Sequence, residues 1–236
     1  MIKTICSCFK GMSVGRLIMG ICLIVIFTSC EQKRKVPIAD LRIVMLGDSE
    51  TRRINHYWGA DTNWNTLTGY KHIFNLGFDG YKTKEILHYE LDTVAPLYLA
   101  LNKKPHVIFL MIGINDISQS TPLAETLSNV RIMIDTIQKH QIDLVIQSVI
   151  PTTDSYDVQY GGFPENGVIA KRVKEMNDSL KRICISRKIP FLNVQSRMLV
   201  SNTYLNDALS VDGIHLNYKG YVIWKDCLKK YISTHY

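Results

Sequence analysis

The chain has 236 residues, 46% hydrophobic and 21% charged, with 28 Lys and Arg against 21 Asp and Glu and a formal charge of +7. The first 29 residues carry Lys3, Lys10 and Arg16 and no acid, so the remainder is only mildly basic, 25 against 21. No basic stripe is interleaved with aromatics and no internal repeat or low-complexity segment occurs, which excludes a nucleic-acid partner and a repeat architecture and leaves length for one well-cored domain.

In chain order, the first feature is an uncharged apolar stretch from Leu17 to Thr28 behind those three basic residues. It has the length of a signal-peptide core and is short for a bilayer span. Phe27-Thr28-Ser29-Cys30 resembles a bacterial lipobox, with Phe27 where leucine is commoner. Residues 1–29 are therefore expected to be a lipoprotein-type signal peptide, and residues 30–40 a lipidated Cys30 with a polar tether. Ordinary secretory cleavage and an uncleaved anchor are the alternatives. Lys33-Arg34-Lys35 would lie near anionic head groups. The expected location is the bacterial cell envelope, with the membrane reached through the lipid anchor. The domain is then 41–236, and its two cysteines, Cys184 and Cys227, can pair or remain thiols.

Apolar, β-branched runs predict strands near 42–47, 72–76, 106–112, 143–149 and 189–194, and helical periodicity predicts helices near 82–101, 122–140, 168–187 and 217–233. Such alternation implies a parallel sheet covered by helices on both faces, an α/β/α sandwich of five strands. Gly47-Asp48-Ser49 ends the first strand, Asn75-Leu76-Gly77 the second and Gly113-Ile114-Asn115-Asp116 the third, while Asp212-Gly213-Ile214-His215 precedes the last helix. Active crevices of open parallel sheets lie at the carboxyl ends of strands, so these distant signals can meet.

Their chemistry is that of a serine nucleophile. A hydroxyl needs a base to take its proton, and the base needs an orienting acid. Ser49, His215 and Asp212 fill those roles. An oxyanion needs fixed donors, which the Ser49 and Gly77 backbone and the Asn115 amide can supply. Each residue also has a purely structural reading: Ser49 as a helix N-cap, Asn115 with Asp116 as an Asx-turn, Asp212-Gly213 as a turn. Asp48 is expected to tie down its own loop. The loops Arg52–Gly69 and Pro151–Gly167 are expected to shape the substrate pocket, with Asp48, Glu50, Arg52, Trp58 and Tyr156 as candidate contacts. The remaining histidines show no metal-ligand spacing, and the chemistry calls for no cofactor.

The four signals resemble those of the SGNH hydrolases, the GDSL-type esterases and lipases, over roughly Arg42 to Tyr231. Asn75, Gly80 and the block from Asp212 to Trp224 also match. The resemblance implies a flavodoxin-like fold, a nucleophile at Ser49, oxyanion contacts from Gly77 and Asn115, and a triad completed by Asp212 and His215. Glu50 departs from the pattern, standing where the family has leucine. The expected activity is hydrolysis of short acyl esters, acetyl above all, on a small molecule or glycan through an acyl-enzyme at Ser49. An O-acetyltransferase using the same intermediate and a noncatalytic glycan-binding lipoprotein are the alternatives.

Overall fold

A computed structural model describes residues 36–55, 63–88, 94–160 and 169–236. Cys30, Trp58 and Phe163 lie outside them, as does the whole of the expected signal peptide. Strand β1 (Ile43–Gly47) runs into a one-turn helix α1 (Ser49–Arg52), followed by α2 (Trp64–Thr68) and β2 (Ile73–Gly77). Next come α3 (Thr83–Leu87), α4 (Pro96–Asn102), β3 (Val107–Met111), α5 (Ile114–Ser118) and α6 (Leu123–Lys139). The chain continues through β4 (Asp143–Gln147), α7 (Asp154–Tyr160), α8 (Ile169–Arg187), β5 (Phe191–Leu192), a small hairpin of β6 (Leu199–Val200) and β7 (Tyr204–Leu205), and α9 (Tyr218–His235).

The five main strands form one parallel sheet in the order β2-β1-β3-β4-β5. Every residue of β1 and β3 is buried, as their unbroken apolar runs require of strands covered on both faces. Successive side chains of a strand point to opposite faces. Val44, Leu46, Ile108 and Leu110 thus enter a core with α3, α4, α6 and α8, whereas Ile43, Met45, Val107 and Phe109 meet Trp64 of α2 and Tyr221, Trp224 and Leu228 of α9. The result is the expected three-layer sandwich.

Two elements differ from expectation. The single helix expected over 82–101 is two helices: α3 ends where His88 turns extended, and Pro96 opens α4 at its first position, where a missing N–H costs nothing. The expected fifth strand over 189–194 is reduced to Phe191 and Leu192 at the sheet edge. Cys184 is buried and Cys227 half-buried, both as free thiols.

Candidate active site

The site is assembled at the carboxyl ends of β1, β2 and β3 and on the loop before α9. Asp48 caps α1, its Oδ1 accepting the Glu50 N–H at 3.1 Å. The cap position therefore belongs to Asp48, and Ser49 begins the helix with its side chain free for another partner. That partner is His215, whose Nε2 lies 3.0 Å from Ser49 Oγ. On the other side of the ring, Nδ1 lies 2.6 Å from Asp212 Oδ2.

Local hydrogen bonds hold the acid and the imidazole together. Asp212 Oδ1 accepts the backbone N–H groups of Ile214 at 3.1 Å and His215 at 2.8 Å. Ser210 Oγ donates to the His215 carbonyl and accepts the Gly213 N–H, both at 2.8 Å. Burial raises the Asp212 pKa, but the His215 backbone and ring and the Ile214 N–H outweigh it and hold the carboxyl below its ordinary range. Burial of the ring, opposed by Asp212, leaves His215 below the usual histidine value. A neutral imidazole with Nδ1–H on Asp212 turns the Nε2 lone pair toward the Ser49 hydroxyl.

Asn115 donates from Nδ2 to the Tyr81 carbonyl at 2.9 Å, leaving its second amide hydrogen without a partner among the described residues. The side chain of its neighbour Asp116 reaches to other elements. Buried to 1% exposure, Asp116 accepts the Thr83 N–H at 2.9 Å and the Thr83 hydroxyl at 2.6 Å, clamping α5 to the start of α3.

Gly77 has a different place from the one its sequence implies. Its N–H donates to Asn75 Oδ1 at 3.0 Å and so is already engaged. A Cβ at position 77 would collide with the backbone of Arg52, so glycine is needed there for β2 to lie against α1. Gly80, in the loop after β2, has φ +76, open space where a Cβ would stand and an N–H with no acceptor among the described residues. It also adjoins Tyr81, whose carbonyl fixes Asn115.

The candidate pocket residues separate into two groups. Asp48 and Glu50 are buried beneath the site, at 1% and 3% exposure, and line no open surface. Burial raises the Asp48 pKa to about 7, and burial with the Asp48 charge raises Glu50 as well. Glu50 accepts the Leu216 N–H with both carboxyl oxygens, at 3.2 and 3.4 Å, and its backbone carbonyl accepts the Tyr221 hydroxyl at 2.7 Å. Glu50 thus joins α1 to the chain beside His215. Tyr156 is half-buried against Gly213, and Arg52 is exposed with its Nε 3.6 Å from Asp79.

In the sequence Arg53 is only one residue of the pocket-shaping loop, and Asp79 is not singled out. In the structure Arg53 Nη1 lies 3.2 Å from His215 Nδ1, and Arg53 Nε donates to Asp79 Oδ1 at 3.1 Å. The doublet Arg52-Arg53 at the end of α1 was the available signal.

The profile of the GDSL-like lipase/acylhydrolase family matches residues 45–223. An isoamyl acetate-hydrolyzing esterase from Saccharomyces cerevisiae is 26% identical over 183 residues, which is 73% of each chain. The fold is similar to that of a GDSL-like lipase from Bacteroides thetaiotaomicron, with a TM-score of 0.65 at 20% identity over 82% of this chain and 88% of that one. It is also similar to a catalytic mutant of an acetylxylan esterase from Geobacillus stearothermophilus, with a TM-score of 0.62 at 16% identity over 82% and 94% of the two chains. With the profile spanning most of its length, the protein belongs to the GDSL-like lipase/acylhydrolase family, the SGNH hydrolases, and is a carboxylic-ester hydrolase.

Proposed function

We propose that the enzyme removes short acyl groups, acetyl foremost, from esterified carbohydrate through an acyl-enzyme at Ser49. The observation that carries this mechanism is the continuous chain from Ser49 Oγ to His215 Nε2 and from Nδ1 to Asp212, at 3.0 and 2.6 Å. His215 takes the Ser49 proton as Oγ attacks the ester carbonyl, then returns it to the departing alcohol. Water, deprotonated by the same imidazole, releases the acid from Ser49. The oxyanion of each tetrahedral intermediate is held by the Ser49 N–H, the free Asn115 amide hydrogen and, in place of Gly77, the Gly80 N–H.

Acetyl selectivity on carbohydrate is supported by the yeast relative's acetate ester, by the likeness to an acetylxylan esterase, and by the polar and aromatic character of Tyr156 beside Asp212. Residues 1–29 as signal peptide and Cys30 as a lipid anchor would place this activity at the bacterial cell envelope, where acylated glycans occur.

The test is hydrolysis of p-nitrophenyl acetate, butyrate and octanoate and of acetylated xylo-oligosaccharides by the full chain. Rates are expected to be highest for acetyl esters, and Ser49→Ala is expected to lower kcat by about 10⁴ or more. Preference for octanoate would remove the acetyl assignment. Acyl transfer to an added sugar in place of free acetate would make the protein a transferase.

A further inference from the structure

Among the described residues, Asp212 and Arg53 compete for His215 Nδ1. Asp212 Oδ2 is an acceptor at 2.6 Å, and Arg53 Nη1 is a donor at 3.2 Å. A guanidinium has no lone pair to offer, and a neutral imidazole carries one hydrogen. The shorter, charge-assisted contact takes that hydrogen, so Nδ1–H points to Asp212. Arg53 then faces the ring as a cation and not as a hydrogen-bond partner. Protonation of Nε2 during catalysis creates an imidazolium beside that guanidinium.

The guanidinium is held by Asp79, whose Oδ1 accepts from Arg53 Nε at 3.1 Å, and the Arg53 side chain is 27% exposed. Asp79 immediately precedes Gly80, so the pair also bridges the end of α1 and the loop after β2. We propose that Arg53, clamped by Asp79, is a positioning residue of His215 that sets the acid edge of the pH range in which the enzyme works. This inference rests on His215 acting as the general base.

The charged and titratable groups around the imidazole come from several elements. Asp212 lies on its own loop, Arg53 follows α1, Asp79 follows β2, Glu50 of α1 sits under Leu216, and Tyr156 of α7 packs on Gly213. Of these, Asp212 and Asp79 favour a charged ring, and Arg53 opposes it. The two members of the pair therefore act on His215 with opposite sign, which a simple staple between loops would not do.

The experiment compares the pH dependence of p-nitrophenyl acetate kcat/KM for the full chain with Arg53→Gln, Arg53→Lys and Asp79→Asn. Arg53→Gln is expected to move the acid limb to higher pH, lowering the rate on that limb by roughly three- to tenfold relative to the variant's own plateau. Asp79→Asn is expected to move the limb to lower pH, and Arg53→Lys, which keeps the charge, to leave it near the wild-type position. NMR titration of the imidazole, assigned with His215→Ala, is expected to move in the same directions without depending on turnover. Limbs and titrations that coincide in all four proteins, or that shift the same way for both neutral variants, overturn the proposal and leave the pair as a staple. Activity that survives Ser49→Ala would instead remove the reading of the site, while the NMR titration would still decide the influence of Arg53 on the ring.

Discussion

Asn115 illustrates how far a single residue can be read. Its position just past β3 was legible because an unbroken apolar run can end only where the chain leaves the sheet. One amide hydrogen is spent on the Tyr81 carbonyl, which fixes the direction of the other. Asn115→Ala is therefore expected to lower kcat by roughly 10² to 10³ with a far smaller change in KM, as steady-state kinetics on a chromogenic acetate would measure. That Ser49, Asp212 and His215 meet was equally legible, since residue type points to such a grouping and a three-residue spacing closes the Asp212–His215 contact. Arg53 was not. Which of two adjacent arginines turns inward depends on how the last turn of α1 unwinds, and no residue type encodes that. Gly77 and Gly80 raised the same difficulty: the sequence shows two glycines, and only packing tells which one is needed for space and which leaves a donor uncovered.

Among the elements, β1 and β3 were predicted well because every residue of both is buried, whereas the half-buried edge strand β5 was overdrawn. The first expected helix, over 82–101, was predicted poorly because helix-forming residues flank Pro96, which favours a helix start over a helix interior. Short elements such as α1, α5 and the β6–β7 hairpin carry too few residues for periodicity to reveal them. They are nevertheless what position the site. The contact of β2 with α1 leaves no room for a side chain at 77, so Gly77→Ala is expected to cost about 1 to 3 kcal/mol by overpacking. The check is thermal or denaturant unfolding, with a midpoint several degrees below wild type. Gly80→Ala meets no neighbouring atom and carries only the backbone penalty of its positive φ. The ordering of the two losses is thus the informative result.

At the scale of the whole molecule, the buried carboxyls make stability depend on pH. Asp48 ionises near its ordinary value of 3.8 in the unfolded chain and near about 7 in the folded one, because burial disfavours its charge. Between those values the folded state binds more protons than the unfolded state, so Asp48 makes stability fall as pH rises through that interval. Asp48→Asn removes this contribution. Its melting temperature relative to wild type is expected to climb from pH 4 toward pH 7 and level off above that, as scanning calorimetry across the interval would record. The three-layer architecture itself was legible from the alternation of strands and helices. The depth of Asp48 and Glu50 was not, because both are acids that composition assigns to the surface. A last consequence comes from the hydrogen bond between Ser49 and His215, which joins residues 166 positions apart. His215 stands just ahead of α9, which is docked through Tyr221 on the Glu50 carbonyl and Trp224 on Gln147. A polypeptide grown only as far as β5 therefore carries Ser49 without the imidazole that faces it, and the contact forms only after residues 210–236 have followed.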